Sequence, residues 1–292
     1  MKGNVMLRIM FALSLAVAPA MAAKGLDTAR IEQITGLKGQ WDEKEGVFTL
    51  RVPRSDLAVT AAGVKITPPL GLTAWAAFTK AGAHAVVMGD MVLTEDQVNP
   101  AMDAALQNGL EVTALHNHFF WESPRVMFMH IGGMGDEGKL AAGVAKVFEV
   151  LKQKGEVPSA DIDPANSSLD PKRIDAVLGR SGQMSKGVYK ITIGRNVKMA
   201  GHTMGNAMGV NTWAGFAGSD GRAIVDGDFA MLESELQDVL KALRAGGINI
   251  VAIHQHMTGE SPRMLFLHYW GIGRTEELAR TLAAALKKTK AA

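Results

Sequence analysis

Apolar and polar positions follow a strand period, then a helix period, and the whole succession is written twice. Gly46–Val52 (GVFTLRV) alternates as a strand does, and Gly187–Ile193 (GVYKITI) repeats it. His84–Val92 predicts a further strand. Thr94–Gln107 has apolar residues at helical spacing, with Thr94 as N-cap and Gly109 as stop. Leu110–His118 and Pro124–Ile131 predict two strands joined by a tight connection, and Asp136–Lys154 predicts an amphipathic helix. The second round answers in order: Pro171–Leu178 for a first short helix at Leu26–Gly36, the Glu233–Ala245 helix, then the strands Gly247–His256 and Pro262–Trp270. Trp75-Ala76-Ala77-Phe78 is matched by Trp213-Ala214-Gly215-Phe216, and Gly89-Asp90 by Gly227-Asp228, at a constant offset of 138 residues from Trp75 to Gly133.

This pattern predicts an α+β fold, internally duplicated into two related lobes. Each lobe has a mostly antiparallel sheet with helices on one side, and the pair is arranged about a pseudo-twofold axis. The expected boundaries are a first repeat over 23–154, a linker over 155–170 and a second repeat over 171–292. Two copies are too few, and the period too long, for a solenoid.

Composition narrows the setting. Residues 1–22 read as a cleavable signal peptide: Lys2 and Arg8 form a basic start, Ile9–Val17 a short apolar run, and Ala20-Met21-Ala22 a small-residue site for cleavage before Ala23. The run is shorter than the roughly 20 residues a membrane span requires. Setting aside Lys2 and Arg8, the chain has 29 basic and 29 acidic residues, so no basic field argues for nucleic acid. There is no cysteine, hence neither disulfide nor lipid attachment at a cysteine after the leader. A periplasmic or secreted protein without a membrane anchor is expected.

The chemistry concentrates in one doubled stretch. ALHNHFFWESPRVMFMHIGG (114–133) and AIHQHMTGESPRMLFLHYWG (252–271) share the frame H-x-H-x3-E-S-P-R-x2-F-x-H, and hold six of the eight histidines. Residues i and i+2 of a strand share a face, so His116 pairs with His118 and His254 with His256. Imidazoles with a nearby carboxylate form common sets for transition metals. The candidate ligands are therefore His116, His118, Glu122 and His130 in the first copy, and His254, His256, Glu260 and His268 in the second. If His116 lies opposite Phe128, His130 joins its face; a register shifted by one residue removes it. Arg125 and Arg263 suggest either an ion pair with Glu122 or Glu260, or a clamp for an anionic ligand. Asp90 and Asp228 follow glycine at a strand end and read as local caps, with metal ligands or hydrogen-bonding partners of histidine as the alternatives, and Trp75 and Trp213 read as core. His202 with Met199, Met204 and Met208 raises copper, in a segment for which the first copy shows no sequence equivalent. The spacing is also like the first cupin motif, but the intervening helices and the missing second motif count against a cupin.

The doubled H-[NQ]-H-x3-E-S-P-R-x-x-F-x-H stretch, the W-A-x-F segment and the Gly-Asp pair resemble the LppY/LpqO-like family of exported bacterial proteins. That resemblance implies export and a duplicated architecture, without an assigned reaction. The functional expectation is a protein binding a divalent transition metal, zinc or copper. Metal-dependent hydrolysis or redox chemistry would use Glu122 or Glu260 as ligand or general base. The alternative is a metal-free periplasmic module for an anionic small molecule or cell-envelope fragment.

Overall fold

The computed structural model describes residues 25–290. The segment read as a signal peptide lies outside them. Among the described residues, six α-helices pack with one twelve-stranded antiparallel sheet and two small three-stranded sheets.

The large sheet explains the repeat. From one edge its strands run Gly39–Asp42, Val47–Pro53, Thr73–Ala81, His84–Thr94, Val126–Gly135 and Glu111–His116. They continue as Asn249–His254, Met264–Gly273, Arg222–Leu232, Asn211–Ser219, Val188–Gly194 and Gln183–Ser185, which is the first half read backwards. The sequence predicts two sheets; the structure joins them edge to edge into one. The join is narrow, with Leu115 of the first copy paired with its own counterpart Ile253.

Side chains reinforce that narrow join. Glu111–His116 and Asn249–His254 each carry an irregularity at the same place, after Val112 and after Ile250. Near each, a helix of the opposite copy satisfies the backbone. The Val112 N–H donates to Gln237 Oε1 at 3.0 Å, and Gln237 Nε2 donates to the Val112 carbonyl at 2.9 Å. Reciprocally, the Ile250 N–H donates to Asn99 Oδ1 at 2.8 Å, and Asn99 Nδ2 donates to the Ile250 carbonyl at 3.2 Å. Both backbone residues are buried, so unmet polar groups there would be costly.

The helices α1 (Thr28–Thr35), α2 (Glu95–Gln107), α3 (Glu137–Val150), α4 (Pro171–Leu178) and α5 (Leu236–Ala245) match the predicted helices to within a few residues, and α6 (Thr275–Leu286), for which the sequence reading names no helix, is the second-copy counterpart of α3. Their buried stripes, such as Leu140, Val144 and Val147 in α3 or Leu236, Val239 and Leu243 in α5, face the sheet. The helices approach so closely that a Cβ on Gly133 would stand 3.0 Å from Leu140 Cδ2, and one on Gly271 3.0 Å from Leu278 Cδ2. Buried Arg54 and its counterpart Arg195 tie each helix entry to the sheet. Arg54 donates to the Val92 carbonyl and to Gln97, while Arg195 donates to the Ala230 carbonyl and to Glu235.

The segment 155–170 contains a single short 3-10 turn, Pro164–Asn166, and no strand. It is pinned at both ends: Gly155 N–H donates to Asp96, and Ser168 and Leu169 N–H donate to the Gly218 carbonyl. The opposite face of the sheet carries the histidines. Small sheets partly cover it: Thr60–Ala61, Val64–Lys65 and Glu122–Ser123 in the first copy, Val197–Met199, His202–Met204 and Glu260–Ser261 in the second.

Candidate metal centre

Register decides which groups meet. His116 pairs with Phe128 and Ala114 with His130, so both histidines lie on one face; His254 pairs with Phe266 and Ala252 with His268. Ring centroids are 5.2 Å apart for His116 and His130, and 4.7 Å for His254 and His268. His118 and His256 lie just past their strands and stack on the buried rings of Phe128 and Phe266, at 3.3 and 3.6 Å between centroids.

Asp90 and Asp228, read from sequence as strand-end residues, are instead in the middle of eleven-residue strands. Each faces a histidine directly across the ladder, Asp90 opposite His130 and Asp228 opposite His268. Both carboxylates are buried, and each has an oxygen, Oδ1, without a hydrogen-bond partner. Burial raises both carboxyls above the ordinary aspartate range, opposed by the neighbouring imidazoles. A sequence signal for this role existed: Gly-Asp repeats at the same offset as the histidines.

In the second copy these groups converge. Asp228, His254 and His256 each offer a donor atom within 4.8 Å of the others. His256 Nε2 is 3.1 Å from Asp228 Oδ2, while its Nδ1 lies 3.2 Å from the Gly209 carbonyl oxygen, which fixes the ring orientation. His254 Nδ1 is buried with no partner, and burial, against the pull of Asp228, holds this imidazole below its ordinary value, which favours the neutral, ligand-competent ring. His268 Nδ1 lies 3.3 Å from the Gly227 carbonyl oxygen.

The first copy is looser. His130 Nε2 stands 4.0 Å from Asp90 Oδ1, against 3.1 Å between His256 Nε2 and Asp228 Oδ2, and the compact donor group is found in the second copy. Burial, with His116 and His130 nearby, lowers the His118 pKa. Phe119 gives a physical reason for the difference: its Cζ would be 3.4 Å from a Cβ on Gly71, whereas at the matching Gly209 the near atom is His256 Nδ1. The second copy has Met257 where the first has Phe119.

Glu122 and Glu260 are placed differently from expectation. They lie not in an open turn but in two-residue strands, paired with Ala61 and Met199. The compact donor group contains Asp228 and not Glu260, whose Oε1 accepts from the Met264 N–H at 3.1 Å. Glu122 Oε2 is buried without a partner, with Arg125 Nε 4.0 Å from Oε1. Arg125 also approaches Glu95 at 3.8 Å, and Arg263 approaches Glu233 at 3.8 Å rather than Glu260. Trp75 and Trp213 are half-buried beside the aspartates, with Lys190 Nζ 4.0 Å from the Trp213 ring centre. The methionine-rich segment does have a structural equivalent: the hairpin and 3-10 turn through Asn206–Met208 match those through Pro68–Leu70, with Ala62 and Ala200 both at positive φ. His202 is exposed and stands outside the donor group.

A cleft of about 630 Å3 opens where the two copies meet, with His116 on one side and His254 and His268 on the other. The recess of about 410 Å3 lined by Arg180, Arg195 and Lys287 holds none of these histidines.

A model described as a Domain of Unknown Function (DUF1259) matches residues 29–150 and again 172–288, and the chain is a member of that family, carrying its domain twice. No curated protein matches the chain. Among solved structures, a trimeric bacterial microcompartment shell protein, PduB, is similar over 85% of this chain and 89% of that one, at 11% identity and a TM-score of 0.20. A superposition that poor carries no argument about fold or assembly. No helix among the described residues is long and apolar enough to cross a membrane.

Proposed function

We propose that this protein binds a divalent transition metal, with Asp228, His254 and His256 as its main ligands and Asp90, His116 and His118 as a looser second set. The convergence of three donors within 4.8 Å, two of them with buried unpartnered atoms, carries the reading. Two imidazoles and one carboxylate are a borderline set that suits zinc, and copper after it. Three protein donors leave a coordination position for water or a ligand, the arrangement of zinc sites that do chemistry. His268, stacked on His254, is a further candidate donor or proton carrier.

The proposal includes a pseudo-twofold relation between copies, supported by the pairing of Leu115 with Ile253 and by the reciprocal Asn99 and Gln237 contacts, as an isologous interface requires. It also includes export, supported by the leader-like residues 1–22 and the resemblance to LppY/LpqO-like proteins.

Elemental analysis of the chain purified without a His-tag tests the metal. About one equivalent of zinc or copper, lost in a His254→Ala/His256→Ala variant, is expected. A metal-free protein that takes up neither ion on titration contradicts the proposal.

A further inference from the structure

The cleft between the copies is asymmetric, and the asymmetry is aromatic. The loop of the first copy sets Phe119, Phe120 and Trp121 at its wall, where the second copy has Met257, Thr258 and Gly259. Phe120 is 74% and Trp121 83% exposed, the two most exposed aromatic side chains among the large exposed hydrophobics. Trp121 also holds a left-handed backbone at φ 55°, a region bulky residues rarely enter. At the matching position Gly259 has φ 80°, so the turn is shared and suits glycine. The first copy thus keeps a tryptophan on a strained backbone with almost none of its indole buried. Its ring contact is with Phe120, 5.9 Å between centroids and itself exposed, so core packing and backbone preference do not explain it, which makes the indole a candidate for contact with a ligand.

The surrounding groups define the ligand. Asn117 and Arg125 line the same wall, and His254 and His268 the other. The Arg125 guanidinium is 65% exposed and its carboxylate neighbours stand 3.8 and 4.0 Å away, so its donors are free for a ligand. Imidazoles can donate and accept, and the Asn117 amide, whose Nδ2 donates to the Phe119 carbonyl at 2.9 Å, offers its Oδ1 as an acceptor. A flat apolar face flanked by mixed donors and acceptors fits a ring with one C–H face and hydroxyls at its rim. The electron-rich indole face packs on the weakly positive C–H face, and the rim hydroxyls meet the polar groups. The volume is within the range of small-molecule sites.

We infer that the cleft between the copies is a saccharide-binding site, with Trp121 as stacking platform and Arg125 and Asn117 as hydroxyl partners. It goes beyond the metal proposal and does not depend on it.

The test is an NMR titration of the full chain with cellobiose and with chitobiose, whose equatorial substituents leave flat C–H faces. It is read at the Trp121 indole N–H and at the His254 ring, in EDTA-treated and in zinc-saturated protein. Saturable shifts in both preparations are expected. Trp121→Gly, which installs the residue of the second copy in a conformation glycine prefers, should weaken binding about tenfold as read at His254. Erythritol, which lacks a ring, should produce no saturable shift. Absence of saturable shifts with both sugars overturns the inference, as does undiminished binding by the Trp121→Gly variant. Tighter binding of benzoate than of either sugar would replace the saccharide by an aryl carboxylate and also overturn it. Binding confined to zinc-saturated protein would move the site to the metal and count against the aromatic platform. Zinc uptake is measured separately, so failure of the metal proposal leaves the EDTA-treated titration interpretable.

Discussion

Replacing Asn99 or Gln237 by alanine probes how the copies are held together. Each half-buried amide makes two hydrogen bonds to the N–H and C=O of one buried backbone residue in the other copy, at 2.8–3.2 Å. Truncation removes both bonds and leaves a donor and an acceptor at the join where the copies share a single ladder pair. An unsatisfied buried group costs about 1–3 kcal/mol, and partial entry of water past a half-buried side chain pulls the total towards the lower end. Each variant should therefore lose about 2–3 kcal/mol. Urea unfolding followed by circular dichroism measures this, with the denaturant slope unchanged if unfolding stays cooperative. Because the contacts are reciprocal, the two losses should agree within about 1 kcal/mol. A loss below about 0.5 kcal/mol in either variant would refute the reasoning, since it would place that amide among ordinary surface side chains.

Two further predictions concern the open face. Burial raises the Asp228 carboxyl, so between the unfolded value near 3.9 and its folded value the native chain holds a proton that the unfolded chain has lost. Stability of the metal-free protein therefore falls as pH rises through that window, and Asp228→Asn should be the more stable chain at pH 7. Its advantage should shrink towards pH 4, and thermal unfolding across pH 4–8 showing the reverse trend would sink the idea. Trp121→Gly should stabilise the chain or leave it unchanged, because relief of the left-handed backbone, about 1 kcal/mol, offsets the flexibility glycine adds to the unfolded state; a clear loss in melting temperature would show that the exposed indole packs after all.

Much of this architecture was legible in the sequence because periodicity and repetition are local signals. Thr94 and Asp136 begin α2 and α3, and the constant offset of 138 foretells matching strands. What was not legible depends on pairing across the sheet. Nothing near Leu115 or Ile253 announces that two edge strands meet there, so the sequence pattern implies two sheets where the structure has one. Glycine before Asp90 and Asp228 reads as a strand end and leaves cap, metal ligand and histidine partner all open; the ladder places each aspartate opposite a histidine. Conversely, Glu122 and Glu260 stood at ligand-like spacing, yet their strands pair with the small hairpins and Asp228 supplies the carboxylate of the compact group. Linear spacing draws attention to the histidines but does not choose the carboxylate. The inequality of the copies, traced to Phe119 against Met257, likewise needed the packing at Gly71 and Gly209.

The measurement that bears most directly on the account is calorimetric titration of zinc into the metal-free full chain, beside Asp228→Asn, His256→Ala and His116→Ala/His118→Ala variants. One tight site is predicted, weakened at least about tenfold by either change in the second copy. It should be nearly unaffected by the double change in the first, which should remove only a weaker site. Zinc affinity that ignores Asp228 and His256, or no zinc binding at all, would contradict the metal centre.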